Sequence, residues 1–396
     1  MTDTVTCYEW DRIIGLSDDQ RKALEIWKNK YNKDNQGDED ADSIITFGYD
    51  YVTFTKYVGI IAFKDGLVIE ILPKLFRSNS DRTVNIQNYK ESIKDKNKEY
   101  AKALLLTMLR ACKQINYKFF QKAKLDTVRM PLLEIFIKMF IDEVNELIRR
   151  GIRCGYKTIE CNGPIFKGKL ILSQHIRHNA AHQERCYVQY DEFNVNRLEN
   201  RLIKATCEFL VRISRNNHNR MALKKILDLL DDIEASVDFK SDISMYTRDR
   251  NLTEYDNIMI WCRMFMEHRS FSNYKGSSIA FALMYPMEKV YEGYIAKCLQ
   301  NAFPDYEVKT QDQKYHLLQT TISDNDKKNL FSLRPDIILT DKSGNYWILD
   351  TKWKILNNNL NQNYGISQSD MYQMYAYYHR YQSQENNQDN NKKYAQ

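Results

Sequence analysis

"RPDIILTDKSGNYWILDTKWK", residues 334–354, sets two carboxylates and a lysine into what otherwise reads as the core of a β-hairpin. Residues 341–345, "DKSGN", supply Gly and Asn where a turn needs positive φ, which places Thr340 opposite Tyr346. Counting outward from that pair sets Asp336 opposite Asp350. Cross-strand partners share a face with Cβ atoms about 5 Å apart, and Lys352, two positions on, shares that face. The three charged groups therefore converge. The other face collects Ile337, Leu339, Trp347, Leu349 and Trp353, as a sheet packed on a core requires. A slip of one residue would reverse the faces, so the apolar set supports the register.

Two carboxylates this close repel one another and raise one pKa unless a cation lies between them. A hard divalent ion removes the conflict. Mg²⁺ takes oxygen ligands, keeps several waters and binds phosphate oxygens through one or two carboxylates, so the pair suits phosphodiester chemistry. Lys352 is then placed to orient or deprotonate the attacking water and to stabilise charge building on phosphorus. The competing reading is a surface hairpin whose Asp and Lys make an ordinary ion pair, worth little for stability. An isolated D-x-K triplet is frequent by chance. Pro335-Asp336, thirteen intervening residues and Asp350-Thr351-Lys352 on the facing strand are a more specific pattern, and they favour a nuclease.

The chain around this hairpin has 396 residues and 43% apolar content, enough for two or three cores. No run of eighteen apolar residues occurs, and "MTDTVTCYEWDRIIG" (1–15) lacks the layout of a secretion signal. The expectation is a cytoplasmic protein with no membrane partner. The eight cysteines are scattered without a C-x-x-C pair, which predicts reduced thiols. Net charge is +6, but residues 275–396 hold 14 Lys+Arg against 13 Asp+Glu. The segment carrying the hairpin thus has no strong long-range attraction for phosphates, and something else must deliver nucleic acid to it.

Polar residues 28–43 read as a loop or linker. Residues 57–76 read as a hairpin turning at Lys64-Asp65-Gly66 and stopped by Pro73. Helical spacing marks 101–115, 131–150, 196–215, 220–236 and 256–268, with strand and turn character at 150–176. From about 275 the pattern becomes helix (286–300), strands (305–309, 314–321, 334–341, 346–354) and helix (367–381). The expected fold is α+β and multi-domain. Its parts are a β-containing N-terminal region (1–150), a mostly helical middle (151–274), a mixed α/β domain (275–382) and a disordered polar tail (383–396).

The hairpin residues resemble the PD-(D/E)-x-K nuclease signature, and the wider chain resembles McrC, the nuclease subunit of McrBC-type, 5-methylcytosine-specific restriction systems. "IEILPK" (69–74), "DEFNVNRLENRLIK" (191–204), "MEKVYEGYI" (287–295), "RPDIIL…ILDTKWK" and "SQSDMYQMYAY" (367–377) resemble McrC blocks in the family's order. The resemblance implies that Asp336 and Asp350 bind Mg²⁺, with Mn²⁺ as the substitute ion, and that Lys352 is the catalytic lysine. It also draws attention to Glu292 as a further acidic group. Glu288 and Glu292 lie one turn apart beside a buried stripe of Met287, Val290, Tyr291 and Tyr294, so one of the two can be solvated surface. Gln373 and Tyr377 look like the Q-x-x-x-Y element of RecB-type nucleases; the alternative is an aromatic helix packing its tyrosines.

The family also implies a partner. McrC-like subunits work with McrB, an AAA+ ring that hydrolyses GTP and recognises double-stranded, often modified, DNA in antiviral defence. This chain has no G-x-x-x-x-G-K-[ST] and so is not the motor. The N-terminal half is expected to dock in the ring and stimulate its GTPase, while the C-terminal domain cuts. The acidic insert at 37–42 and the extended N-terminus depart from the pattern. Two other functions stay open: a non-catalytic adaptor that activates the ring, and a stand-alone RecB-like exonuclease. Separately, "HIRHNAAHQERC" (175–186) would align His175, His178, His182 and Cys186 as zinc ligands if it were one helix, although structural zinc sites usually draw paired ligands from separate segments.

Overall fold

A computed structural model describes residues 4–34, 44–76, 83–89, 96–112, 130–247, 253–267, 279–323, 326–356 and 358–393. In chain order these form β1 (Thr4–Tyr8), β2 (Arg12–Ile14), α1 (Asp18–Asp34), β3 (Ile45–Phe47), β4 (Tyr51–Phe54), β5 (Tyr57–Phe63), β6 (Val68–Leu72) and β7 (Thr83–Asn85). The helical middle follows: α2 (Lys96–Ala111), α3 (Leu132–Arg150), β8 (Gly155–Gly163), β9 (Lys169–Leu170), α4 (Leu172–Asn179), β10 (Cys186–Asn194), α5 (Leu198–Ile213), α6 (Asn217–Leu229), α7 (Phe239–Met245) and α8 (Thr253–Glu267). The last third comprises β11 (Ile279–Pro286), α9 (Met287–Ala302), β12 (Glu307–Thr310), β13 (His316–Ser323), β14 (Asp326–Ser332), β15 (Ile337–Thr340), β16 (Tyr346–Leu349) and α10 (Gln368–Lys393). The α+β class is as expected.

The hairpin β5–β6 is the wall of the molecule. It lies in a four-stranded sheet of order β1-β6-β5-β11, and every residue of both strands is buried. One face sends Val58, Ile60 and Ala62 into the large helical core, and the other sends Tyr57, Ile61 and Phe63 into a smaller N-terminal core. A strand covered on both faces has no reason to alternate, which is why "YVGIIAF" is a continuous apolar run. Gly59, at φ +145, lets β11 approach, since a Cβ there would lie 2.0 Å from the Leu283 carbonyl oxygen.

The N-terminal core is closed by the sheet β3-β4-β2-β7 and by Ala23 and Leu24 of α1. Residues 28–34, expected in a linker, belong to α1. Their polar composition is that of a solvated face, while Trp27 and Tyr31, one turn apart, pack on the core and Tyr31 meets Tyr57 edge-on at 5.9 Å. Residues 35–43, with the acidic insert, lie outside the described residues.

The helical core draws on α2, α3, α5, α6 and α8 together, so packing crosses the expected boundary at 150. Buried polar groups fix it. Glu70 of β6 pairs with Lys102 of α2 at 2.8 Å and accepts from the Leu132 amide. Glu134 of α3 accepts from Ser214 Oγ (2.8 Å), the Arg215 amide (2.6 Å) and Asn219 Nδ2 (2.7 Å). Buried carboxylates are tolerated only when satisfied in this way. The boundary expected at 275 is crossed as well, because β11 hydrogen-bonds to β5.

Other expectations need correction. The tail from 383 is helical through Lys393 as a continuation of α10. Strand β14, absent from the sequence reading, pairs with β13 as a separate two-stranded ribbon. His175 and His178 lie on α4, His182 in the turn after it and Cys186 at the start of β10, so the four do not share a helix face. His175 Nδ1 bonds Asn179, His178 stacks on Tyr187 and His182 pairs with Glu184. All eight cysteines are free. No helix among the described residues is long and apolar enough to cross a membrane.

Candidate active site

The hairpin β15–β16 has the expected register, with Thr340 opposite Tyr346 and Ile337 opposite Leu349. Both strands are shorter than the sequence suggested. Pro335 brings no N–H, the Asp336 carbonyl accepts from the Gln311 amide (3.0 Å), and the Thr351 amide donates to Asp336 Oδ2 (2.7 Å). The ladder therefore ends where the catalytic candidates begin. The two faces are also less distinct than alternation implied. Ile338, on the acidic face, is buried, while Trp347, on the other, is 46% exposed and leans on Tyr306. Tyr381 of α10 packs against Tyr346 and Tyr315 on that side.

Asp336 is braced by Thr351, whose amide and hydroxyl both donate to Oδ2 at 2.7 and 2.8 Å. Asp350 is almost fully enclosed; its Oδ2 meets Lys352 Nζ at 2.7 Å, and its Oδ1 is buried with no hydrogen-bond partner among the described residues. Burial raises the Asp350 pKa and the Asp336 charge adds to the effect, while Lys352 opposes it. For Lys352, burial works against the charge, but Asp350, Asp336 and Asp370 outweigh it and hold the ammonium above its ordinary range. A lysine held in its ammonium form by these neighbours can donate to developing negative charge.

Glu292 comes to the same place from α9. Its neighbour one turn back, Glu288, is the solvated member of the pair, at 3.9 Å from Lys56. Glu292 accepts from Gln311 Nε2 at 2.6 Å, and the same nitrogen is 3.5 Å from Asp336 Oδ1. Its pKa is raised, by burial first, with Asp336 and Asp350 adding and Gln311 opposing. Met287 and Val290 form the buried stripe of α9, and the Tyr291 ring lies tilted against Trp353 at 5.2 Å.

Gln373 and Tyr377 reach the site. Lys352 Nζ donates to Gln373 Oε1 (3.1 Å), Gln373 Nε2 to the Tyr377 hydroxyl (2.8 Å), and that hydroxyl to the Arg334 carbonyl (3.0 Å). Four-residue spacing on one helix face makes this relay possible. The helix is started by Ser367 and Asp370, which bond each other's backbone amides as a capping box, and Lys354 ties Asp370 to the hairpin at 2.6 Å.

Sequence reasoning missed a second layer. Trp353 turns away from the acids, and its Nε1 donates to both oxygens of fully buried Glu9 (2.9 and 3.2 Å), while Lys74 Nζ donates to the Trp353 carbonyl (2.9 Å). Lys74 was within reach as the last residue of "IEILPK". Glu9, Thr351 and Gln311 carry no local signal.

The orphaned Asp350 oxygen beside Asp336 and Glu292 is what a cation would satisfy. Among the described residues no group of three or more His, Cys, Asp or Glu side chains is placed to hold a metal ion, so an ion here would rest on two carboxylates at most. An ion here would draw on water and phosphate for its remaining ligands, as Mg²⁺ does and zinc in structural sites does not.

Comparison with known proteins places the chain in a family. Residues 52–387 match the sequence profile of the McrBC 5-methylcytosine restriction system component, and the chain belongs to that family. No curated protein sequence matches it. Two solved structures share the fold. One is a refined half-complex from a tetradecameric assembly of Thermococcus gammatolerans McrB AAA+ hexamers with bound McrC, at 19% identity and TM-score 0.66, covering 94% of this chain and 84% of that one. The other is the Thermococcus gammatolerans McrBC complex, at 20% identity and TM-score 0.56, covering 75% and 87%.

Proposed function

We propose that the chain is the DNA-cutting subunit of a McrBC-type restriction complex, hydrolysing phosphodiester bonds in double-stranded DNA with Mg²⁺ and stimulating a McrB-like AAA+ GTPase ring on which it docks. The carrying observation is the unsatisfied, buried Asp350 oxygen next to Asp336, Glu292 and a protonated Lys352. A bound Mg²⁺ supplies Lewis-acid activation of phosphate and water. Asp336 and Asp350 would hold it, with Glu292 beside them. Lys352 donates to the phosphate oxygens as charge builds on them, and Gln373, fixed by Tyr377, aims Lys352. The near-neutral charge of residues 275–396 fits delivery of DNA by the partner rather than capture by this domain.

The test is Asp350→Ala in a complex reconstituted with the GTPase ring. Cleavage of modified plasmid DNA should be abolished while GTP turnover persists; cutting at the wild-type rate would remove the assignment.

A further inference from the structure

We infer that Gln311 is a positioning residue of the metal site, holding Glu292 toward Asp336 so that both present oxygens to one divalent cation; this rests on the nuclease reading above. Gln311 follows β12 with φ 53, a left-handed conformation that residues other than Gly, Asn and Asp seldom take. Such geometry persists where the surroundings over-determine it. They do here. The backbone amide donates to the Asp336 carbonyl at 3.0 Å. The side-chain nitrogen stands between two carboxylates, 2.6 Å from Glu292 Oε1 and 3.5 Å from Asp336 Oδ1. The next residue, Asp312, accepts from the Tyr381 hydroxyl at 2.7 Å, so α10 clamps the turn from outside.

Glu292 and Asp336 come from different elements, α9 and the approach to β15, and like charges would turn them apart. One amide nitrogen donating toward both keeps them facing a common point. Its hold on Glu292 engages Oε1 and leaves the second oxygen for a cation. Groups that orient metal ligands in this way typically account for about 10- to 100-fold in metal affinity.

The test is calorimetric titration of the full chain with Mn²⁺, for wild type, Gln311→Ala, Gln311→Asn, Glu292→Gln and the double variant Glu292→Gln/Gln311→Asn. Asn accepts left-handed backbone and keeps the amide N–H, but it is one methylene too short to reach Glu292. Both Gln311 variants should bind Mn²⁺ about tenfold or more weakly. The double variant should bind no more weakly than Glu292→Gln alone, because Gln311 acts through Glu292. Wild-type affinity in both Gln311 variants, or fully additive losses in the double variant, would overturn the inference and leave the nuclease reading standing. Absence of Mn²⁺ binding by the wild-type chain would instead sink both.

Discussion

Glu9 gives a pH dependence that can be worked from the structure. The carboxyl is fully buried where β1 ends, and it accepts from Trp353 Nε1 and from the Lys74 amide (3.3 Å). Burial pushes its pKa from the usual 4.5 to about 7, against Lys74 and the Trp353 hydrogen bond, which pull it down. The folded chain therefore prefers the protonated form. Its contribution to stability is complete below about pH 4.5 and is lost as pH rises through about 7. At about 1.4 kcal/mol per pH unit, the gap corresponds to about 3 kcal/mol. Glu9→Gln keeps the shape and an acceptor for Trp353 but cannot titrate. Urea unfolding followed by circular dichroism, at about pH 5 and about pH 8, should show the variant gaining about 3 kcal/mol relative to wild type at the higher pH. A wild-type-minus-variant difference that is the same at both pH values would refute the reasoning.

Other outcomes follow from the same contacts. Tyr377→Phe removes the hydroxyl that links Gln373 to Arg334, and cleavage should fall on the order of tenfold with the melting temperature little changed; a wild-type cleavage rate would count against the relay. Asp370→Ala breaks the capping box of α10 and its tie to Lys354, at about 1 kcal/mol, seen as faster amide exchange in the first turn of that helix. The Asp370 carboxyl is held down at about 2, chiefly by Lys354, so its contribution is present above the usual 3.8 and fades as pH falls toward 2. Gly59→Ala forces a Cβ onto the Leu283 carbonyl and should cost about 2 kcal/mol or more, read from thermal melts.

The grouping of Asp336, Asp350 and Lys352 was legible because its determinants are local. A turn rich in Gly and Asn fixed the register, period-two geometry then put Asp336, Asp350 and Lys352 together, and helical spacing paired Gln373 with Tyr377. What escaped was set by distant partners. Strand ends depend on Asp336 taking the Thr351 amide. Glu9 is 344 positions from Trp353, and Gln311 looks like any polar residue after a strand. The linker expectation at 28–34 failed because polarity alone does not distinguish a loop from the wet side of a helix with two aromatic anchors. Cores and the strand β11 run across residues 150 and 275, where the change of pattern had suggested boundaries.

That crossing strand bears on how the protein can be divided. A fragment starting near residue 275 would keep the whole acidic cluster yet strip β11 of β5, leaving both margins of an apolar ribbon bare. Bare margins of that kind recruit other chains, so such a piece should precipitate before it can be assayed. The acidic cluster and the sheet that holds β11 are therefore expected to stay together in any fragment that folds.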